Sequence, residues 1–162
     1  MLNSGSWISV PTVTEMKAVV QRVSGASVSV EGKKVAAIDR GFLVLAGFGR
    51  EDTEATLEWM ARKIVSLRIF EDHTGRMTLP LSAVDGRILV VSQFTLYGDC
   101  RKGARPSFDK SASPEAAREL YDRFVELLEA EAPGRVDSGV FQEKMGVSSV
   151  NDGPVTLVID KE

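Results

Sequence analysis

Two stretches of this 162-residue chain end an apolar run in clustered polar side chains, and both have the makings of a chemical site. In the first, Val90-Val91-Ser92-Gln93-Phe94-Thr95-Leu96-Tyr97-Gly98-Asp99, a buried strand delivers two hydroxyls and an amide to its end. Ser92, Gln93 and Thr95 are groups that can hydrogen-bond an ester or a neighbouring ribose. The same groups also suit a strand edge that satisfies its own backbone. The second stretch is Asn151-Asp152-Gly153-Pro154-Val155-Thr156. Asn-Asp-Gly-Pro reads by itself as a turn, with a trans peptide before the proline as the default. Gly153 lets backbone come close to a ligand, and Thr156 shares a face with Pro154 if a strand begins there.

The rest of the inventory excludes much chemistry. The one histidine, His73, falls in Glu71-Asp72-His73-Thr74-Gly75, which reads as a hairpin turn. With a single histidine and a single cysteine, Cys100, the chain lacks the ligands of an ordinary structural zinc site. A nucleophile-histidine pair would have to recruit His73 from that turn. Gly47-Phe48-Gly49 alone makes no phosphate-binding loop, so neither a cofactor nor a metal is expected. Cys100 also precludes an internal disulfide and suits a reducing cytosol, the expected location.

Net charge is −3, which gives no general affinity for nucleic acid, but the charge is uneven. Residues 100–110 carry Arg101, Lys102, Arg105 and Lys110 against Asp109, whereas residues 115–131 carry six acids against two arginines. Such a basic loop could meet a phosphate backbone locally, or be an ordinary solvated loop.

These residues need a scaffold. Strands are expected over residues 16–23, 26–30, 35–38, 42–46, 68–71 and 87–93, with a last pair over 146–150 and 155–160. The continuous apolar run 42–46 between Gly41 and Gly47 implies a strand buried on both faces. Leu57, Met60, Ala61, Ile64 and Val65 recur at helical spacing, giving a helix over 53–67 with Asp52 as N-cap. A second helix begins with Ser113 as N-cap and Pro114 as first residue. It buries Leu120, Phe124, Leu127 and Leu128, and it ends at Pro133-Gly134. Strands and helices do not alternate, so the expected class is α+β: a curved, mostly antiparallel sheet or barrel with two main helices. Residues 1–15 read as a flexible extension or upstream start, and residues 16–162 as a single domain. No apolar run reaches the ~20 residues of a membrane span, and no signal peptide is evident.

Together these segments resemble the D-aminoacyl-tRNA deacylase family. Ser92-Gln93-Phe94-Thr95-Leu96 looks like its SQxTL motif and Asn151-Asp152-Gly153-Pro154-Val155-Thr156 like its NxGPxT motif. Residues 16–23 resemble its amino terminus, Arg68-Ile69-Phe70-Glu71-Asp72 its central strand, and residues 101–108 its basic loop.

The resemblance implies hydrolysis of the ester in D-aminoacyl-tRNA, and of glycyl-tRNA, by a homodimer with its active sites at the interface. A cis Gly153-Pro154 would reach into the other subunit's pocket and reject L-side chains, braced by Arg22 across the subunit boundary. Ser92, Gln93, Thr95 and Thr156 are the catalytic candidates. Phe94, Ala112, Phe141, Met145 and Asn151 are candidates for the substrate pocket, and Arg101, Lys102 and Arg105 for the tRNA backbone. Either Thr156 or Thr95 acts as a nucleophile, or the 2′-OH of the tRNA assists while the protein positions the ester; the lack of a histidine base favours the second. The chain departs from the family at Gln142-Glu143-Lys144, where small residues are usual; inward-facing side chains there would narrow the pocket. The rival reading is a non-catalytic tRNA- or amino-acid-binding module, related to a synthetase editing domain, which a broken motif would mark.

Overall fold

The structure, a computed structural model, describes residues 15–161. The expected N-terminal extension lies outside these residues except for Glu15, which opens the first strand, β1 (Glu15–Val30). Met16, Ala18, Val20, Ala26 and Val28 are buried along β1 at even positions, the period of a pleated strand. The two strands expected over 16–30 are therefore one. Its first half pairs antiparallel with β3 (Gly41–Gly47) and its second half with β2 (Lys33–Ile38). Along its other edge it pairs antiparallel with β8 (Met145–Lys161).

Beyond β3 the sheet continues in parallel through β6 (Arg87–Ser92) to β7 (Val136–Ser138). A two-stranded hairpin, β4 (Phe70–Glu71) and β5 (Met77–Leu79), stands apart and carries His73 in its turn. β3 is buried on both faces, as its unbroken apolar run requires. Phe42, Val44 and Ala46 face one core with Ile88 and Val90, beneath helices α1 (Glu54–Ser66) and α2 (Pro114–Glu131). Leu43, Leu89 and Val91 face a second core closed by Val23, Ala26, Val28 and Ile38, where β1 and β2 curl over the sheet. The result is the α+β, nearly closed, barrel-like sheet with two helices that the pattern called for.

Some details differ from expectation. Thr53, not Asp52, caps α1: its hydroxyl accepts from the Thr56 amide, and the Thr56 hydroxyl accepts from the Thr53 amide. Asp52 instead accepts from the amides of Met16 at 2.6 Å and Gly49 at 2.8 Å, pinning the start of β1 to the loop before α1. Burial outweighs these bonds and pushes its carboxyl up to about 6. Helix α2 starts as read, with the Ser113 hydroxyl accepting from the Ala116 amide and Pro114 following. Its buried stripe is Ala117, Tyr121, Phe124 and Leu128, with Leu120 and Leu127 at the flanks. β7 is a strand the sequence reading missed. The last two expected strands are a single 17-residue strand.

Candidate active site

β3 and β6 run parallel and in register from Gly41↔Arg87 to Ala46↔Ser92, so both strands end at one edge of the sheet. There the Gln93 amide donates to the Ala46 carbonyl at 2.8 Å, and the chain turns into a short 3-10 helix, Phe94–Tyr97. This turn forms one wall of a cleft of about 750 Å³, opposite the segment leading into β8. Ser92, Gln93, Phe94, Ala112, Phe141 and Met145 all line it, so six of the expected site residues are brought together.

Phe94 is 56% exposed and meets Phe108 edge to face, ring centroids 5.1 Å apart, forming an apolar lip. The side-chain amide of Gln93 bonds the hydroxyl of Thr95, which lies just outside the lining. Gln142, at φ 63, and Glu143 line the cleft while Lys144 does not, so two of the three unusual residues border the pocket. Among the described residues, Glu143 is the one ionisable group lining it; His73 is elsewhere. The sequence reading did not name Phe48, Val91, Phe108, Ser111, Pro114, Ala117 or Val147 as site residues, and all seven line the cleft. No local signal marks Phe48, which reaches the cleft because β3, paired with β6 as far as Ala46↔Ser92, ends beside it. Among the described residues, no group of three or more His, Cys, Asp or Glu side chains is placed to hold a metal ion.

The second motif lies elsewhere in the chain. Gln21 pairs with Thr156 and Val23 with Asn151, so residues 152–155 bulge out opposite Arg22 alone. Asn151 ties the bulge shut: its Oδ1 accepts from the Val155 amide at 3.0 Å and its Nδ2 donates to Thr156 Oγ1 at 2.8 Å. Gln21 Nε2 donates to the same Oγ1 at 3.4 Å. Arg22, only 5% exposed, lies beneath, donating from Nε to the Asp152 carbonyl at 3.0 Å and from Nη1 to the Ile69 carbonyl at 2.8 Å. Glu71 and Asp152 carboxylates stand 3.7 Å from the same guanidinium. These contacts are made within one chain.

Gly153 sits at φ +129, and a Cβ there would lie 2.9 Å from Arg22 Nη2, so the position demands glycine. The Gly153–Pro154 peptide is cis. Both residues are exposed, and neither they nor Asn151, Thr156 or Arg22 line the cleft.

In the basic loop, the Arg101 guanidinium grips Asp99 at 2.9 and 2.6 Å and holds that carboxyl well below the usual carboxylate range. Lys102 and Arg105 are exposed in the same loop.

The family model described as D-Tyr-tRNA(Tyr) deacylase matches residues 19–160, nearly the whole described chain. The chain belongs to that family. It is accordingly an enzyme, a hydrolase of the deacylase class. It is 56% identical over 145 residues to a D-aminoacyl-tRNA deacylase of Thermotoga petrophila, covering 90% of this chain and 97% of that protein. A D-aminoacyl-tRNA deacylase of Koribacter versatilis is 55% identical over 147 residues, covering 91% and 98%. Among solved structures, one described as c-Myc DNA Unwinding Element Binding Protein superposes with TM-score 0.86 at 42% identity, covering 90% of this chain and 99% of that one. A probable eukaryotic D-amino acid tRNA deacylase, 22% identical with TM-score 0.78 and the same coverage, shares the fold.

Proposed function

We propose that the protein hydrolyses the ester between a D-amino acid and tRNA, in the cytoplasm, as a homodimer in which Gly153-Pro154 of one subunit completes the cleft of the other. The observation that carries this reading is the separation of the two motifs. Ser92-Gln93-Phe94 lines the cleft, whereas Gly153 and Pro154 stand exposed in the bulge of β8, Gly153 six residues beyond Val147 at the cleft edge. At ~3.3 Å per residue that is on the order of 20 Å, too far to shape the same ligand from within one chain. A second copy docking on the exposed face of β8, where Val150 is 63% and Val158 69% exposed, supplies the missing wall.

On this reading the Gly153-Pro154 backbone excludes an L-side chain, and glycyl-tRNA, with no side chain to exclude, is a second substrate. Phe94 and Phe108 offer an apolar face to the terminal adenosine, and Lys102 and Arg105, with Arg101, meet the tRNA backbone. Among the described residues, neither candidate threonine is hydrogen-bonded to a base. Thr156 Oγ1 takes its bonds from the Asn151 and Gln21 amides, and Thr95 Oγ1 from the Gln93 amide. Amide N–H groups cannot accept a hydroxyl proton, so Thr156 and Thr95 position, and the ribose 2′-OH assists the attack on the ester. Hydrogen-bonding groups at Ser92 and Gln93 stabilise the developing oxyanion.

The test mixes pure protein with D-tyrosyl-tRNA, L-tyrosyl-tRNA and glycyl-tRNA. The expected result is release of D-tyrosine and glycine with L-tyrosyl-tRNA spared. Equal hydrolysis of the two tyrosyl enantiomers would remove the chiral role of the bulge. Binding without hydrolysis would favour the non-catalytic module.

A further inference from the structure

Tyr121 does not line the cleft, yet it touches what holds both its walls. β6 and β7 pair in parallel as far as Val90↔Ser138, and the Gly139 amide then donates to the Val90 carbonyl at 2.9 Å. Beyond this point the two chains part. One runs through Ser92 into the Phe94 turn, and the other through Phe141 into Met145. The Tyr121 hydroxyl sits at the fork, 3.1 Å from the Val90 carbonyl oxygen and 3.0 Å from that of Gly139. Its one proton serves one acceptor at a time. Burial pushes this hydroxyl up to about 12, against a bond from Ser138, so it stays a donor across the working range of pH.

The ring contributes separately. It stacks on Phe141 at 5.8 Å and 28°, and meets Phe48 edge-on at 6.4 Å. Gly139 lies so close beneath Met145 that a Cβ added to it would come within 2.9 Å of the Met145 sulfur. A shift of Gly139 is therefore passed to Met145 at once, because packed side chains have no slack to absorb it.

We propose that Tyr121 is a positioning residue for the cleft: its hydroxyl, donating to the Val90 or the Gly139 carbonyl, anchors the fork where the two walls part, and its ring fixes Phe141. This rests on the reading of the cleft as the site of ester hydrolysis. The tRNA body binds outside the cleft and the ester inside it, so loosening the fork acts on the chemical step more than on binding.

The experiment compares steady-state D-tyrosyl-tRNA hydrolysis by wild type, Tyr121→Phe, Leu128→Ala and Gln93→Ala, well below each melting temperature. Tyr121→Phe keeps the ring and loses the hydroxyl. Its kcat is expected to fall about tenfold with KM within about twofold. Leu128, fully buried on the same helix but away from the cleft, reports destabilisation alone: Leu128→Ala should melt lower and keep its kcat. A Tyr121→Phe kcat within about twofold of wild type, a loss confined to KM, or an equal kcat loss in Leu128→Ala overturns the assignment. Gln93→Ala separates the two layers. If it retains full activity, the cleft is not the site and both readings fall. If it is impaired while Tyr121→Phe is not, only the role of Tyr121 falls.

Discussion

Replacing Arg22 with methionine keeps a long, unbranched stem and removes the guanidinium that holds the bulge from below. Two charge-assisted bonds are lost, to the Asp152 carbonyl at 3.0 Å and the Ile69 carbonyl at 2.8 Å. The bond to Ile69 is buried, where each such bond contributes about 1.5–3 kcal/mol. The Glu71 and Asp152 carboxylates, about half exposed, are screened by water and add little. The expected loss is therefore about 2–4 kcal/mol of stability, or roughly 5–15 °C in melting temperature for a domain of this size. Because residues 152–155 have only Arg22 opposite them, activity should suffer beyond stability. D-tyrosyl-tRNA hydrolysis measured at 20 °C, where the variant is still folded, should drop by about 10²-fold. Arg22→Lys should recover only part of this, since an ammonium does not present the planar fork that reaches both carbonyls. Thermal melts and single-turnover deacylation of both variants provide the measurements. An Arg22→Met enzyme with wild-type turnover would refute the claim that the bulge must be held in place to work.

Further outcomes follow from individual contacts. Asp52, pushed up to about 6, binds more protons folded than unfolded between pH ~4 and 6, so its contribution is present below pH ~4 and lost as pH rises through 6. Stability from denaturant midpoints should fall across that window by no more than about 3 kcal/mol, and Asp52→Asn should flatten the slope. Gly153→Ala places a Cβ 2.9 Å from Arg22 Nη2 at φ +129, and should lower deacylation at least about tenfold with about 1–3 kcal/mol of stability lost. If Thr156 positions the ester, as proposed, Thr156→Ala should slow single-turnover hydrolysis by less than about tenfold. Abolished turnover with tRNA binding and assembly intact would return it to the role of nucleophile.

Local signals carried much of the fold. Ser113-Pro114 announced α2 because cap and first-turn proline both act within four residues. The run 42–46 announced a strand buried on both faces because burial leaves no polar side. Asp52 was misplaced because two adjacent polar residues can both cap a helix, and the choice turned on the distant Met16 amide that Asp52 accepts from. β8 was split because Asn-Asp-Gly-Pro has the composition of a turn. The pairing of Gln21 with Thr156 and Val23 with Asn151 makes it a bulge in a continuous strand. β7, three residues long, has too little pattern to show. The parallel β3–β6–β7 order and the fork at Tyr121 arise from long-range packing, which periodicity does not encode. In the site, the motif residues Ser92, Gln93 and Phe94 were legible, whereas Phe48 and Val147 became visible only when distant strands met.

The central claim is that one subunit's cleft works with the other's Gly153-Pro154, and subunit complementation tests it directly. Gln93→Ala spoils the cleft and Gly153→Ala spoils the bulge, each leaving the other part intact. Unfolding and refolding an equal mixture should make half the dimers mixed, each with one site built from two intact parts. D-tyrosyl-tRNA hydrolysis should then recover to about a quarter of the wild-type rate, well above the sum of the two variants alone. A mixture that shows no more than that sum would contradict a shared site.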